Sequence, residues 1–493
     1  MRIRVAIEGF AAAIAVFAVP VRVSGVTEYS LQPSNLCKTG NRSVAVSSWR
    51  SPYHPSRKRS VMNVYRLLAV SLVAACFCSP GRVHSEGKWE RRVQAGPELS
   101  VDVMAARHPI SPNIYGIAFP DPILAREIGL PLRRSSNDTT VRFQLFEGGP
   151  LYEMVSESKS WLDLDRSNQP TASGSAGLIA RTQRYSEAVR AINPKGTLLG
   201  PGSALGHYQE EDVPKDAQTE HPALGQASAY LQAMRAYGSE QGRRVLDYFA
   251  EHYASLPQNG QTEATPLEAT RSLWDTTYVE KNEYGQTHGA IALIPSLRRW
   301  ADKDYPGTKV ALSEYVWGDM TTLVGALAEA DVLGIFGRER LDLACLYGTF
   351  KATDPGANAF RLYCSYDGRG GQFGETGIHA TSTDQAKLSI YAAERTADHL
   401  LTLVVINKTK TDMKSVLTIK GHRTTEKPRL ITIEDVELGP YAQVYRYSGM
   451  DLKEIVWRPD QPVKSGGFTA EYAARSATMI VLPISRTVGG IAP

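Results

Sequence analysis

The stretch KVALSEYVWGD, Lys309 to Asp319, decides how the chain is read. Val310, Ala311 and Leu312 form an apolar run after the turn signal Tyr305-Pro306-Gly307, and helix-forming residues resume beyond Gly318. Strand, loop and helix in that succession make one unit of a parallel α/β fold. Glu314 then sits where the strand runs out into its loop. A carboxylate there, with Tyr315 and Trp317 beside it, has the ingredients of a sugar site: an anion to meet an anomeric carbon and flat apolar faces for pyranose rings. The plainer alternative is a structural hydrogen bond at Glu314 with both aromatics in the core, as any α/β domain contains.

The same alternation recurs on both sides. Leu130 to Asn137 and Tyr152 to Glu157 (YEMVSE) read as strands, and Leu178, Thr182, Tyr185, Val189 and Ile192 recur at helical spacing. Strand Thr197 to Gly200, helix Ala223 to Tyr237, strand Val245 to His252 and helix Leu293 to Ala301 lead into the Glu314 strand; helix Thr321 to Leu333 and strand Leu341 to Leu346 follow it. Strands alternating with helices, without a glycine-rich phosphate loop, predict a barrel over residues 110–383. Six barrel strands are countable against the usual eight. The roughly fifteen residues between Asn137 and Tyr152 cannot hold a βαβ unit of about 30, so the barrel is expected to be incomplete, either open or closed irregularly. Over residues 384–485 short apolar runs, from Leu388 to Ala392 through Ala477 to Leu482, alternate with turn signals and show no helical period, which predicts a β-sandwich. Within residues 86–109, Leu99 to Met104 alternates like an isolated strand that joins a sheet made elsewhere. The fold class is therefore α/β plus all-β: an incomplete TIM-like (β/α) barrel followed by a C-terminal β-sandwich.

The formal charge of +4 comes from the beginning of the chain. Residues 1–85 hold 11 Lys/Arg against 2 Asp/Glu, leaving 44 basic and 49 acidic residues beyond them. With the excess of positive charge confined there, a nucleic-acid surface loses its support. That leader has two export-signal cores, Phe10 to Val19 and Leu67 to Phe77, both too short to span a bilayer as ordinary helices. The second follows Met62 and ends at Val83-His84-Ser85, a small-residue cleavage pattern, so residues 62–85 are taken as the working signal and the protein is expected to be secreted, periplasmic or at the cell surface. Val73-Ala74-Ala75-Cys76 also has the form of a bacterial lipoprotein box, which would put a lipid anchor on Cys76. Of five cysteines only Cys345 and Cys364 lie beyond the leader, too few for a disulfide scaffold or a four-ligand zinc site.

Catalytic groups of barrel enzymes stand at strand C-termini, which selects the acids Glu314, Glu157 and Glu251. Two of them could form a glycosidase pair, one attacking the anomeric carbon and the other cycling between acid and base.

Several strings carry a family resemblance. LSEYVWG, Leu312 to Gly318, resembles the TEYNWG motif of glycoside hydrolase family 44, the endo-β-1,4-glucanases and xyloglucanases, and ADVLGIFGRERLDLA, Ala330 to Ala344, resembles the stretch that follows it. RSLWD (Arg271 to Asp275), AFRLYCSYDG (Ala359 to Gly368), DQAKLSIYAA (Asp384 to Ala393) and VYRYSG (Val444 to Gly449) continue it in order, over about residues 98–483. The resemblance implies a barrel, a sandwich built from both chain ends, and hydrolysis of a β-glucan polysaccharide with retention of configuration. It makes Glu314 the nucleophile and Glu157 the acid/base, and it assigns Asn137, Trp161, His252, Tyr253, Tyr315, Trp317 and Tyr347 to substrate binding. It implies no required cofactor, no metal ligand by residue, and no stable protein partner; structural Ca²⁺ is a further option that no dense Asp loop locates. The chain departs from the pattern at Ser156 and Val316, where the family has asparagine, at Ser135-Ser136, where it has glycines, and at Tyr347, where it has tryptophan. It also lacks the strand-helix units after Asn137. Two readings follow: a secreted retaining endo-β-1,4-glucanase, or an impaired homologue (or shortened gene product) that binds carbohydrate or serves at the cell surface.

Overall fold

The computed structural model describes residues 93–137, 140–145, 151–153, 174–204, 222–255, 265–281, 289–427, 430–464 and 466–491. The leader signals and Cys76 lie outside them, as do Glu157 and Trp161. Among the described residues no helix is long and apolar enough to cross a membrane.

Three short N-terminal strands, β1 (Val93–Ala95), β2 (Leu99–Asp102) and β3 (His108–Pro109), precede the barrel. The barrel strands are β4 (Gly116–Ala118), β5 (Leu132–Asn137), β6 (Thr140–Leu145), β7 (Leu151–Glu153), β8 (Thr197–Ala204), β9 (Tyr248–Ser255), β10 (Lys309–Trp317) and β11 (Leu343–Leu346). They form a closed ring in chain order, with β11 returning to β4. The strand count is thus eight, not six, and the ring is closed.

The two strands missed in the count explain how. β6 is antiparallel to both β5 and β7, while every other neighbouring pair in the ring is parallel. Only two residues separate β5 from β6, and a connection that short can make a hairpin but never a parallel crossover. The segment too short for a strand-helix unit therefore fills its place in the ring by doubling back, which is the irregular closure. β4 escaped notice because it is three residues long and its pattern is continuous burial.

Elsewhere helices make the crossovers: α1 (Pro122–Glu127), α2 (Gly174–Ile192), α3 (Pro222–Glu240), α4 (Thr265–Ala269), α5 (Leu293–Asp304) and α6 (Leu323–Arg338); α7 (Pro355–Cys364) follows the last ring strand and leads to the second half. Asp121 caps α1 by accepting from the backbone of Ile123 at 2.8 Å, and Thr322 caps α6 by accepting from Gly325 at 3.0 Å. Alternate strand residues separate two cores. Ala118, Leu132, Leu199, Tyr248, Ala250, Ala311, Leu343 and Cys345 plug the inside of the ring, while Ile117, Phe249, Val310, Leu312, Ala344 and Leu346 face the helices. Cys345 and Cys364 are both buried and form no disulfide.

The second half is all β: β12 (Thr376–Ser382), β13 (Leu388–Arg395), β14 (Leu400–Asn407), β15 (Asp412–Lys420), β16 (His422–Lys427), β17 (Leu430–Leu438), β18 (Tyr441–Ser448), β19 (Asp451–Pro462), β20 (Gly467–Tyr472) and β21 (Ser476–Ile491). β2 is inserted between β12 and β15, so both ends of the chain contribute. β12 precedes residue 383, where composition changes; its sequence TGIHATS has no apolar run to announce it, although it pairs with β13 and β2. β13 and β14 are buried along nearly their whole length because one face meets the sandwich core and the other meets α6.

Candidate active site

Glu314 reaches the barrel mouth through a fault in its strand. Against β9 the register of β10 shifts between Leu312 and Glu314, and against β11 between Leu312 and Tyr315. Ala311 belongs to the inner plug, yet Leu312 and Tyr315, three residues apart, both belong to the outer core. Strict alternation would have turned Ser313 inward and Glu314 out among the helices. The bulge absorbs Ser313, whose Oγ is buried without a hydrogen-bond partner among the described residues, and re-aims Glu314 into the ring.

There the carboxylate is gripped from two sides. Arg134 of β5, three strands around the ring, pairs with Glu314 Oε1, and His252 of β9 places Nδ1 3.8 Å from Oε2. The Arg134 side chain is only 4 % exposed and that of Glu314 is 22 % exposed. The ion pair thus stands on a dry floor, where its electrostatic hold is stronger than at an open surface, and the carboxylate still opens to solvent. His252 shares its inward parity with Tyr248 and Ala250. Glu251, the neighbouring acid, has the opposite parity: it is buried and raises the pKa of the Tyr230 hydroxyl on α3, already pushed up by burial.

Three expected sugar-facing aromatics point the wrong way. Tyr315 is buried behind the strand, where its hydroxyl donates to Glu329 Oε1 at 2.7 Å and its ring meets Phe336 edge-on at 5.1 Å. Trp317 is buried against Tyr253, ring centroids 5.7 Å apart, and its indole donates to the Pro266 carbonyl at 3.0 Å. Tyr253 itself is buried and donates to Glu280 at 2.5 Å. All three are on the helix side of their strands, Tyr315 and Trp317 because of the bulge. Tyr347, just beyond β11, does face out, at 44 % exposure. Asn137 ends β5 opposite Thr140 at the hairpin; its side chain, like Glu157 and Trp161, is outside what is described.

Reading the sequence overlooked two residues. Arg134 is the second of two adjacent arginines near the start of β5, and nothing in the local sequence distinguishes them; only the ring tells them apart, Arg133 being exposed and Arg134 buried. Phe119 directly follows β4 with φ +53°, is 46 % exposed, and meets Tyr347 edge-on at 6.1 Å and 77°. The Arg134 guanidinium lies 6.0 Å from the Tyr347 ring centre. Phe119, Tyr347, Arg134 and Glu314 thereby form a continuous run from an exposed apolar rim to a held carboxylate. A bulky residue in the left-handed region is costly, and such positions cluster at functional sites. Among the described residues no group of three or more His, Cys, Asp or Glu side chains could hold a metal ion.

An eight-stranded barrel joined to a β-sandwich also describes solved glycoside hydrolases. The bifunctional glucanase-xylanase CelM2 from a metagenome library superposes with a TM-score of 0.66 at 21 % identity, covering 80 % of this chain and 100 % of that one. A Paenibacillus polymyxa xyloglucanase of family 44 superposes with a TM-score of 0.62 at 19 % identity, covering 79 % and 100 %. Residues 142–255, from β6 to the end of β9, match glycoside hydrolase family 44. In sequence, Endoglucanase A of Paenibacillus lautus is 28 % identical over 296 residues, and Beta-mannanase/endoglucanase A of Caldicellulosiruptor saccharolyticus 26 % over 285. These alignments cover 57 % and 52 % of this chain, but only 42 % and 21 % of the two relatives. Over residues 142–255 the chain is similar to glycoside hydrolase family 44, and it spans less than half the length of the two curated relatives.

Proposed function

We propose that the protein is an exported retaining endo-β-1,4-glucanase acting on cellulose-like or xyloglucan chains. The observation that carries this reading is the solvent-open Glu314 carboxylate in the C-terminal half of β10, held by Arg134 and flanked by His252. In the proposed mechanism Glu314 attacks the anomeric carbon while Glu157 protonates the leaving glycosidic oxygen. Water, deprotonated by Glu157, then releases the sugar from Glu314 with its configuration retained. Arg134 orients the nucleophile by occupying one oxygen and leaving the other to attack. Tyr347 and Phe119 offer ring faces at the rim. The substrates in the names of the relatives, glucan and xyloglucan, support the polymer class.

Reducing-sugar release from xyloglucan and hydroxyethylcellulose tests this. Glu314→Gln and Glu157→Gln are each expected to lower kcat at least about a thousandfold, some 4 kcal/mol of barrel-mouth catalysis. Undiminished hydrolysis by Glu314→Gln would remove it from the mechanism. Ser156, standing where the family's asparagine would approach the sugar 2-hydroxyl, favours a second reading, an impaired homologue that binds glucan without turnover. Binding by a parent protein that releases no sugar would select it. Intact-mass analysis of the exported protein tests cleavage after Ser85, and a lipid adduct on Cys76 would replace that with anchoring.

A further inference from the structure

A cleft of about 710 Å³ lies outside the ring, between α1, α7 and β19. Its size is in the range of ligand sites. It is connected to the mouth at Glu314, because one of the loops that carry the exposed rings, that after β11, lines the cleft and the other leads directly into the helix that does. The loop after β4, Phe119 to Asp121, leads straight into α1, whose Ile123 lines the cleft, and the loop after β11, Tyr347 to Asp354, contributes Ala352 and Thr353 to the lining. The loops are tied together where the Ala352 N–H donates to Asp121 Oδ2 at 3.2 Å and where Arg361 donates to the Ala352 carbonyl at 2.9 Å while pairing with Glu127. The Asp121–Ala352 contact thus joins the segment that carries Phe119 and the segment that carries Tyr347 at the edge of the cleft.

The lining favours an uncharged, polyhydroxylated chain. Ile123, 61 % exposed, and Ile455 present apolar surface beside the polar side chains of Thr353 and Lys453, while Asn358 beneath them is buried and bonded to Arg361 and to the Leu452 and Lys453 carbonyls. The charges present are largely answered locally. Glu127 pairs with Arg361, and Asp367 Oδ1 accepts from the backbone of Arg369 and Gly371, each at 2.8 Å. An anionic or cationic polymer finds no cluster of one sign. Two residues beyond Ile455, on the same side of β19 by strand alternation, Trp457 stands 56 % exposed with Tyr445 directly opposite on β18. Tyr445 in turn meets Tyr366, a cleft residue, at 5.1 Å. An exposed indole aligned with a mixed polar and apolar cleft is a stacking platform for a sugar ring.

We infer that the cleft and Trp457 form a second glucan-binding stretch, engaged by the part of the polymer that extends beyond the catalytic mouth. The inference takes its ligand from the function proposed above, but binding can be read without turnover. Full-length protein carrying Glu314→Gln is run in native gels containing xyloglucan or hydroxyethylcellulose. Adding Ile123→Ser or Trp457→Ala, both at exposed positions, is expected to weaken retardation about three- to tenfold in Kd, the worth of one apolar contact for the isoleucine and of one stacking contact for the indole. In protein with Glu314 intact, the same substitutions are expected to lower the ratio of kcat/KM on long polymer to that on short oligosaccharide. Retardation unchanged by both substitutions, or absent altogether, overturns the inference; so does equal loss on long and short substrates. Retardation that depends on Trp457 in a protein that hydrolyses no glucan would sustain the cleft and reject the hydrolase.

Discussion

At the scale of the residue, Ser313 and Phe119 show how local irregularity makes the mouth. One extra residue in β10 sends Glu314 inward and commits Tyr315 to the outer core; regular alternation with Ser313 retained would instead turn the Ser313 hydroxyl inward and the Glu314 carboxylate out among the helices. Phe119 holds a backbone conformation that costs roughly 1–2 kcal/mol for a residue with a Cβ. Phe119→Gly relieves that strain while adding about 0.5–1 kcal/mol of chain entropy to the unfolded state. The expected outcome is stability within about 1 kcal/mol of the parent in urea unfolding together with a raised KM for glucan. A large loss of stability, or an unchanged KM, would show that the exposed ring serves packing and not substrate.

At the scale of the element, α6 is unusual in being buried from Val324 to Gly337, because the ring covers one side and the sandwich sheet the other. Gly334 is needed there: a Cβ would come within 2.3 Å of the Tyr391 ring. Burial pushes the Glu329 carboxyl up to about 8, a rise only partly offset by the hydrogen bond from Tyr315, and its second oxygen has no partner among the described residues. The unfolded chain gives up this proton near its ordinary value of 4.5, while the folded chain keeps it to about 8. The stabilisation from the neutral acid is therefore complete below pH 4.5 and is lost progressively as pH rises to 8. Between pH 5 and pH 8 this amounts to a loss on the order of 3 kcal/mol. Glu329→Gln is expected to match the parent near pH 5, exceed it in stability at pH 8, and flatten the intervening slope in urea titrations; parallel pH profiles would refute it.

At the scale of the whole molecule, ring and sandwich are joined by a buried polar knot. Lys408, after β14, pairs with Asp331 of α6, whose Oδ1 also accepts from Ser389 at 2.6 Å and Tyr391 at 2.7 Å. Burial alone would raise the Asp331 pKa, but the lysine charge and these hydrogen bonds outweigh it and hold the carboxyl below its usual range. Lys408→Met leaves that charge unpaired and is expected to cost about 3–5 kcal/mol, with much of the loss recovered on adding Asp331→Asn; the urea midpoints of the single and double variants read it directly. By itself the sequence determined the strand that carries Glu314, although that strand runs three residues past the carboxylate to Trp317, the succession of strands and helices, the all-β second half and the inserted strand at Leu99. These are written in local periodicity and turn residues. Only the tertiary structure decided that the Asn137 segment closes the ring as a hairpin, that Arg134 and not Arg133 meets Glu314, and that Tyr253, Tyr315 and Trp317 turn away from the mouth. The physical reason is that a barrel strand is buried on both faces. Its residues look equally apolar inward and outward, and the pairing of distant strands, with one bulge in their register, settles which side chains face the barrel mouth.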